Sequence, residues 1–249
     1  MRFTRIILIF VTAVLSTAVL TGCAGMKQQS FNRSVHSQVK TIQVLPMPQA
    51  NVRLFIFNNV ASNFGLIGAL IGEANRNGKE TQLQKMVQTA NFNQFELFKS
   101  AFTKDMAQRG YSLIWPTPLT EKSTASKRDG WMLRKRYGSI TGSDAQLDLG
   151  VTFVGYAAAG SGKSQPYRPT LNMGVRLVSA DGKTVLMQDQ LLHHNVNNAV
   201  SAIVIEPAGQ YSYPNFKDLK AAGQAPIEGL KLAVQASAKA LAEQFGDAQ

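Results

Sequence analysis

The chain has 249 residues, with 26 Lys and Arg against 15 Asp and Glu and a formal charge of +11. At 45% hydrophobic and 16% charged residues it is too apolar for a disordered chain, and its length suits one well-buried domain. One cysteine and three histidines exclude an intrachain disulfide framework and the usual Cys/His zinc site, so no metal is expected.

Residues 1–22 have the layout of an export signal: Arg2 and Arg5, then an uncharged, mostly apolar run from Ile6 to Leu20. That run is shorter than the roughly 20 residues that span a bilayer. It ends in Leu20-Thr21-Gly22-Cys23: a branched apolar residue, two small residues and the only cysteine. This resembles the lipobox of bacterial lipoproteins. The resemblance implies thioether lipidation of Cys23, cleavage between Gly22 and Cys23, and acylation of the new N-terminus. Covalent lipid on Cys23 is then the only group the protein carries, with no cofactor. In proteins that this one resembles, aspartate after the cysteine favours inner-membrane retention. Ala24 stands here, which implies the outer membrane, with the domain facing the periplasm. One acyl chain binds a bilayer reversibly, whereas two or three hold a protein essentially permanently. Residues 23–38, rich in Gln, Ser and Asn, read as a polar tether to a domain over 39–249.

Loss of Arg2 and Arg5 with the leader, which holds no acid, lowers the charge from +11 to +9. A basic body tethered to an anionic leaflet is drawn to head groups at about 1 kcal/mol per nearby cation. An exported protein seldom meets nucleic acid, so none is expected as a partner.

Val39–Pro46 reads as a strand with Ile42 and Val44 inward, and Val52–Phe57 as a second, apolar on both faces and therefore buried. From Leu54 to Gly72 no residue is charged, and Gly65, Gly68 and Gly72 punctuate its end. Gly68 and Gly72 have the spacing that lets helices approach closely. The segment reads as a buried strand, a turn and a glycine-rich helix packed on the sheet. A stretch contacting the bilayer or a partner helix is the alternative. Asn93 and Glu96 have capping-box spacing, flanked by Phe92 and Leu97. Phe95, Phe98, Phe102 and Met106 continue at helical spacing to Gly110, and Tyr111–Trp115 follows as a short strand.

Residues 116–143 form a long polar loop with Arg134, Lys135 and Arg136 set near Trp131, a candidate contact for a partner or for head groups. Gln146–Val154 and Thr170–Ser179 alternate apolar and polar residues, and the turn pair Asp181-Gly182 leads on to a third strand over Thr184–Leu192. They predict an antiparallel meander with one face buried. Pro226 opens a closing helix whose stripe is Ile227, Leu230, Val234, Ala238, Leu241 and Phe245. The sum is a single α+β or α/β domain: a mixed sheet of about five to six strands covered by at least two amphipathic helices. Its element order resembles small α/β envelope lipoprotein domains and the N-terminal domain of TolB-type proteins.

Catalytic signals are sparse. Ala157–Ser164 fits a permissive phosphate-loop pattern, but Pro166 and Pro169 follow where a helix should open, so nucleotide binding is not expected. His193 and His194 are adjacent and, on a strand, point to opposite faces. Asp148, Asp181 and Asp189 are scattered, and no Gly-x-Ser-x-Gly elbow occurs. The sequence therefore reads as a non-enzymatic outer-membrane lipoprotein whose periplasmic domain binds an envelope protein or cell-wall component. An envelope hydrolase is one alternative. A subunit of a membrane-embedded assembly using residues 54–72 is the other.

Overall fold

The computed structural model describes residues 26–58, 65–122, 124–160, 163–196, 199 and 201–246, and for Asn58 and residues 65–75 the backbone alone. Gly22 and Cys23 lie outside the described residues. In chain order the elements are strands β1 (Thr41–Val44), β2 (Met47–Pro48) and β3 (Arg53–Asn58), then helices α1 (Gly65–Thr89) and α2 (Gln94–Gln108). Strands β4 (Ser112–Ile114), β5 (Thr120–Glu121), β6 (Ala145–Gly160), β7 (Arg168–Ser179), β8 (Val185–His193) and β9 (Ile203–Ile205) follow. Helices α3 (Phe216–Ala221) and α4 (Ala225–Glu243) close the chain.

One mixed sheet of seven strands carries the fold, in the order β4-β1-β6-β7-β8-β9, with β3 also on β6. β6 is 16 residues long, enough for two partners along one side: β1 pairs with its first half and β3 with its second, both parallel. β6, β7 and β8 form the expected antiparallel meander. β8 accepts β9 in parallel, and β2 and β5 form a separate two-stranded pair. Because β7 opposes both β6 and β8, strands β3, β6 and β8 all finish at one end of the sheet, called here the upper end.

Alternation decides the layers. Ile42, Val44, Leu147, Leu149, Met173, Val175, Leu177 and Leu191 are fully or almost fully buried and share a core with Phe98, Phe102 and Met106 of α2 and the predicted stripe of α4. Asn93 caps α2, its side chain accepting from the amides of Phe95 and Glu96. Gly182, at φ +75°, makes the turn from β7 to β8.

Two expectations are corrected. β3 is not buried on both faces: among the described residues it pairs with β6 alone, and Phe55 and Phe57 remain 37% and 45% exposed. An apolar run reads alike in a core strand and an edge strand. The described part of the expected tether is also not free. Gln29 and Gln188 exchange two backbone hydrogen bonds of 2.8 Å, antiparallel to β8. Phe31 is buried against Tyr111 and Phe245, while Arg33 donates to the carbonyls of Gly246 (3.1 Å) and Arg109 (2.9 Å).

Candidate functional site

The face of the sheet opposite α2 and α4 is crossed by the 116–143 segment, and a buried ionic network fastens it there. β6 alternation puts Gln146, Asp148 and Gly150 on this face. Asp148 has no exposed surface. Its Oδ2 accepts from the Arg134 amide at 2.6 Å and the Tyr137 hydroxyl at 2.9 Å, and the Arg128 guanidinium stands 3.6 Å from Oδ1. Burial pushes the Asp148 carboxyl above its ordinary value, with these hydrogen bonds and charges pulling the other way. Arg128 and Arg134 both reach Glu121 Oε1, and Ser126 donates to the same atom. Burial would raise Glu121, but those donors outweigh it and hold its carboxyl below the usual value. Arg176 of β7 completes the fastening, donating to Asp129, Gln188 and the Arg134 carbonyl.

This geometry sorts the candidate contacts around Trp131. Arg134 is spent inward on Glu121, Trp131 is half-buried, and only Lys135 and Arg136 point outward. The Trp131 chain passes so close over the paired glycines Gly150 and Gly174 that a Cβ at Gly150 would lie 2.2 Å from its carbonyl oxygen. Gly65, Gly68 and Gly72 lie in the first turns of α1.

The upper end holds the remaining polar chemistry. His193 Nδ1 lies 3.0 Å from the Pro169 carbonyl, which can only accept, so Nδ1 carries the proton. His194 Nδ1 lies 2.9 Å from Thr170 Oγ1, whose own hydroxyl donates to the Arg168 carbonyl, so His194 Nδ1 is again the donor. Both rings keep an Nε2 lone pair. Burial, then the charges of Arg168 and His193, push His194 down to about 4. The two rings border different cavities. His193 faces one of about 590 Å³ between α2 and α4, lined by Leu97, Lys104, Tyr211 and Leu232 among others. His194 faces a more polar one of about 480 Å³ with Phe57, Gln165, Arg168 and Asn195. Glu206 borders both. Among the described residues no group of three or more His, Cys, Asp or Glu could hold a metal ion.

Of the phosphate-loop pattern, Ala157–Gly160 are the last residues of β6 and Ser161 and Gly162 lie outside the described residues; the next element in the chain is the strand β7, where a phosphate loop would open a helix. Sequence reasoning missed the Arg128–Asp148–Glu121 network, α3, β9 and the docking of Phe31. Phe31, the one Phe, Tyr or Trp of the polar 23–38 stretch, is the available signal for the last. The fold is that of a single α+β domain with a mixed sheet. No family model, curated protein or solved structure matches the chain.

Proposed function

We propose that the chain is a lipid-anchored outer-membrane protein whose periplasmic α+β domain binds another envelope component and performs no catalysis. The observation that carries this reading is Leu20-Thr21-Gly22-Cys23 at the end of a short, basic-flanked apolar run. The net positive charge of the mature chain suits residence beside an anionic leaflet. The buried Asp148 and the partly buried Glu121 are engaged by arginines, and Asp148 by a backbone amide as well, which supports a structural rather than a catalytic use. The cavities beside His193 and His194 are the places where a small ligand or a partner side chain would enter.

The test is fractionation with lipid labelling. Wild type is expected to take up radiolabelled palmitate and sediment with membranes, and Cys23→Ser to lose the label and leave the membrane fraction. Unchanged labelling of Cys23→Ser would refute the anchor.

A further inference from the structure

We propose that the upper end of the sheet is the surface that rests on the lipid leaflet, with Phe55 and Phe57 as its interfacial contacts. This rests on the lipidation of Cys23 proposed above and adds an orientation to it. The argument begins with chain direction. Gln29 pairs antiparallel with Gln188, and Gln28 donates to Asp189, so the chain read backwards from Gln29 to Met26 climbs alongside β8 toward the upper end. Cys23 lies three residues beyond Met26, and three residues reach at most about 10 Å. Acyl chains on Cys23 therefore hold this end of the domain, not the opposite one, against the bilayer.

The same end carries unpartnered apolar surface. The rings of Phe153, Phe55 and Phe57 form a ladder along β6 and β3, with centroids 6.1 Å and 6.4 Å apart. Phe55 and Phe57 are exposed, as is Val204 near the upper end of β9, on the sheet's other edge. Glu80 and Gln84 of α1 meet β3 at Leu54 and Val52, so the helix runs back against the strand. Its start, Gly65–Gly72, which contains no charged residue, therefore lies toward the upper end too. Half-buried Arg168 borders the same cavity as Phe57, and exposed Lys163 lies in the β6–β7 turn, so this end also carries positive charge for head groups. Aromatic rings with adjacent cations are the composition of a surface lying at a membrane interface.

The experiment uses the full-length protein reconstituted into vesicles of phosphatidylethanolamine and phosphatidylglycerol. Phe55→Cys and Phe57→Cys, with Ile114→Cys as a control, carry an environment-sensitive fluorophore. Ile114 is equally exposed but pairs beside Gln43 near the lower end. Thioether-linked Cys23 does not react, and the mass of its peptide is measured in each sample. With Cys23 lipidated, quenching by lipids spin-labelled near the head group is expected to be at least about two-fold stronger at positions 55 and 57 than at 114, because interfacial side chains sit within roughly 10 Å of the boundary. Lipidated Cys23 with equal quenching at all three positions would overturn the orientation and leave the anchor standing. Protection of positions 55 and 57 from lipid and aqueous quenchers alike, the signature of a protein covering this face, would overturn it as well. An unmodified Cys23 would remove the anchor and this inference together.

Discussion

At Gly150 one added methyl group would strike the Trp131 carbonyl oxygen and the Met132 backbone, and neither can yield as a flexible side chain can. Gly150→Ala is therefore expected to cost about 2–3 kcal/mol, read as a fall in Tm. Gly138→Ala, with nothing within 4 Å of its Cβ, should change little. His194 gives a pH prediction at the same scale. Unfolded histidine takes up its proton near 6.5, and folded His194 only near 4. Between those values the unfolded state holds more protons, so stability is complete above 6.5 and is lost as pH falls through the window. His193, lowered first by burial, slopes the same way. Asp144, lowered by the amides of Thr41 and Lys40, and Glu121 lose their contributions further down, through the folded carboxylate values. Asp148, raised by burial, works in the opposite sense. His194→Asn keeps an amide donor for Thr170 and suits the φ of +72° at this position. It should flatten the decline of Tm between pH 6.5 and 4, and a pH–Tm series on both proteins checks it.

Elements differ in how plainly the sequence announces them. The meander was legible because Leu147, Leu149 and Val151, and likewise Met173, Val175 and Leu177, mark one face at a period of two. The two long amphipathic helices were legible because a cap or a proline marks each start. Asn93→Ala should cost about 1 kcal/mol for loss of the cap on α2, measured by denaturant titration. Interactions without period were not legible. Nothing in the spacing of Arg128, Asp148 and Glu121 pairs them, since their meeting depends on the long loop folding back over β6. Phe55 and Phe57 misled because an apolar run carries no record of how many neighbours its strand will have. The polar composition of residues 23–38 conceals the anchoring of its described part for a similar reason, since the Gln29 backbone, Phe31 and Arg33 are enough to hold it. Arg33 holds two carbonyls and stacks over Tyr111 with its guanidinium 5.0 Å from the ring centre. Arg33→Ala is expected to cost about 1–3 kcal/mol and to speed amide exchange across residues 26–36, seen by hydrogen–deuterium exchange mass spectrometry.

For the whole molecule, these features define one axis. The N-terminal segment climbs beside β8 toward the end where β3, β6 and β8 finish, and the exposed phenylalanines and both histidine cavities lie at that same end. The face opposite the helices is closed by a loop in which Arg128 and Arg134 are consumed internally, while Lys122, Lys127, Lys135 and Arg136 stay exposed. Charge acquires a different meaning in this arrangement: part of the excess of basic residues fastens the fold, and only the remainder is displayed to a surface. The proposal that the axis ends in lipid depends on the chemistry of a single residue. Intact-mass and peptide mass spectrometry of the protein isolated from envelopes measures it directly. The account predicts an N-terminal peptide beginning at Cys23 and carrying diacylglycerol and an additional acyl chain. A mature chain that retains Met1, or begins elsewhere with Cys23 unmodified, would contradict it.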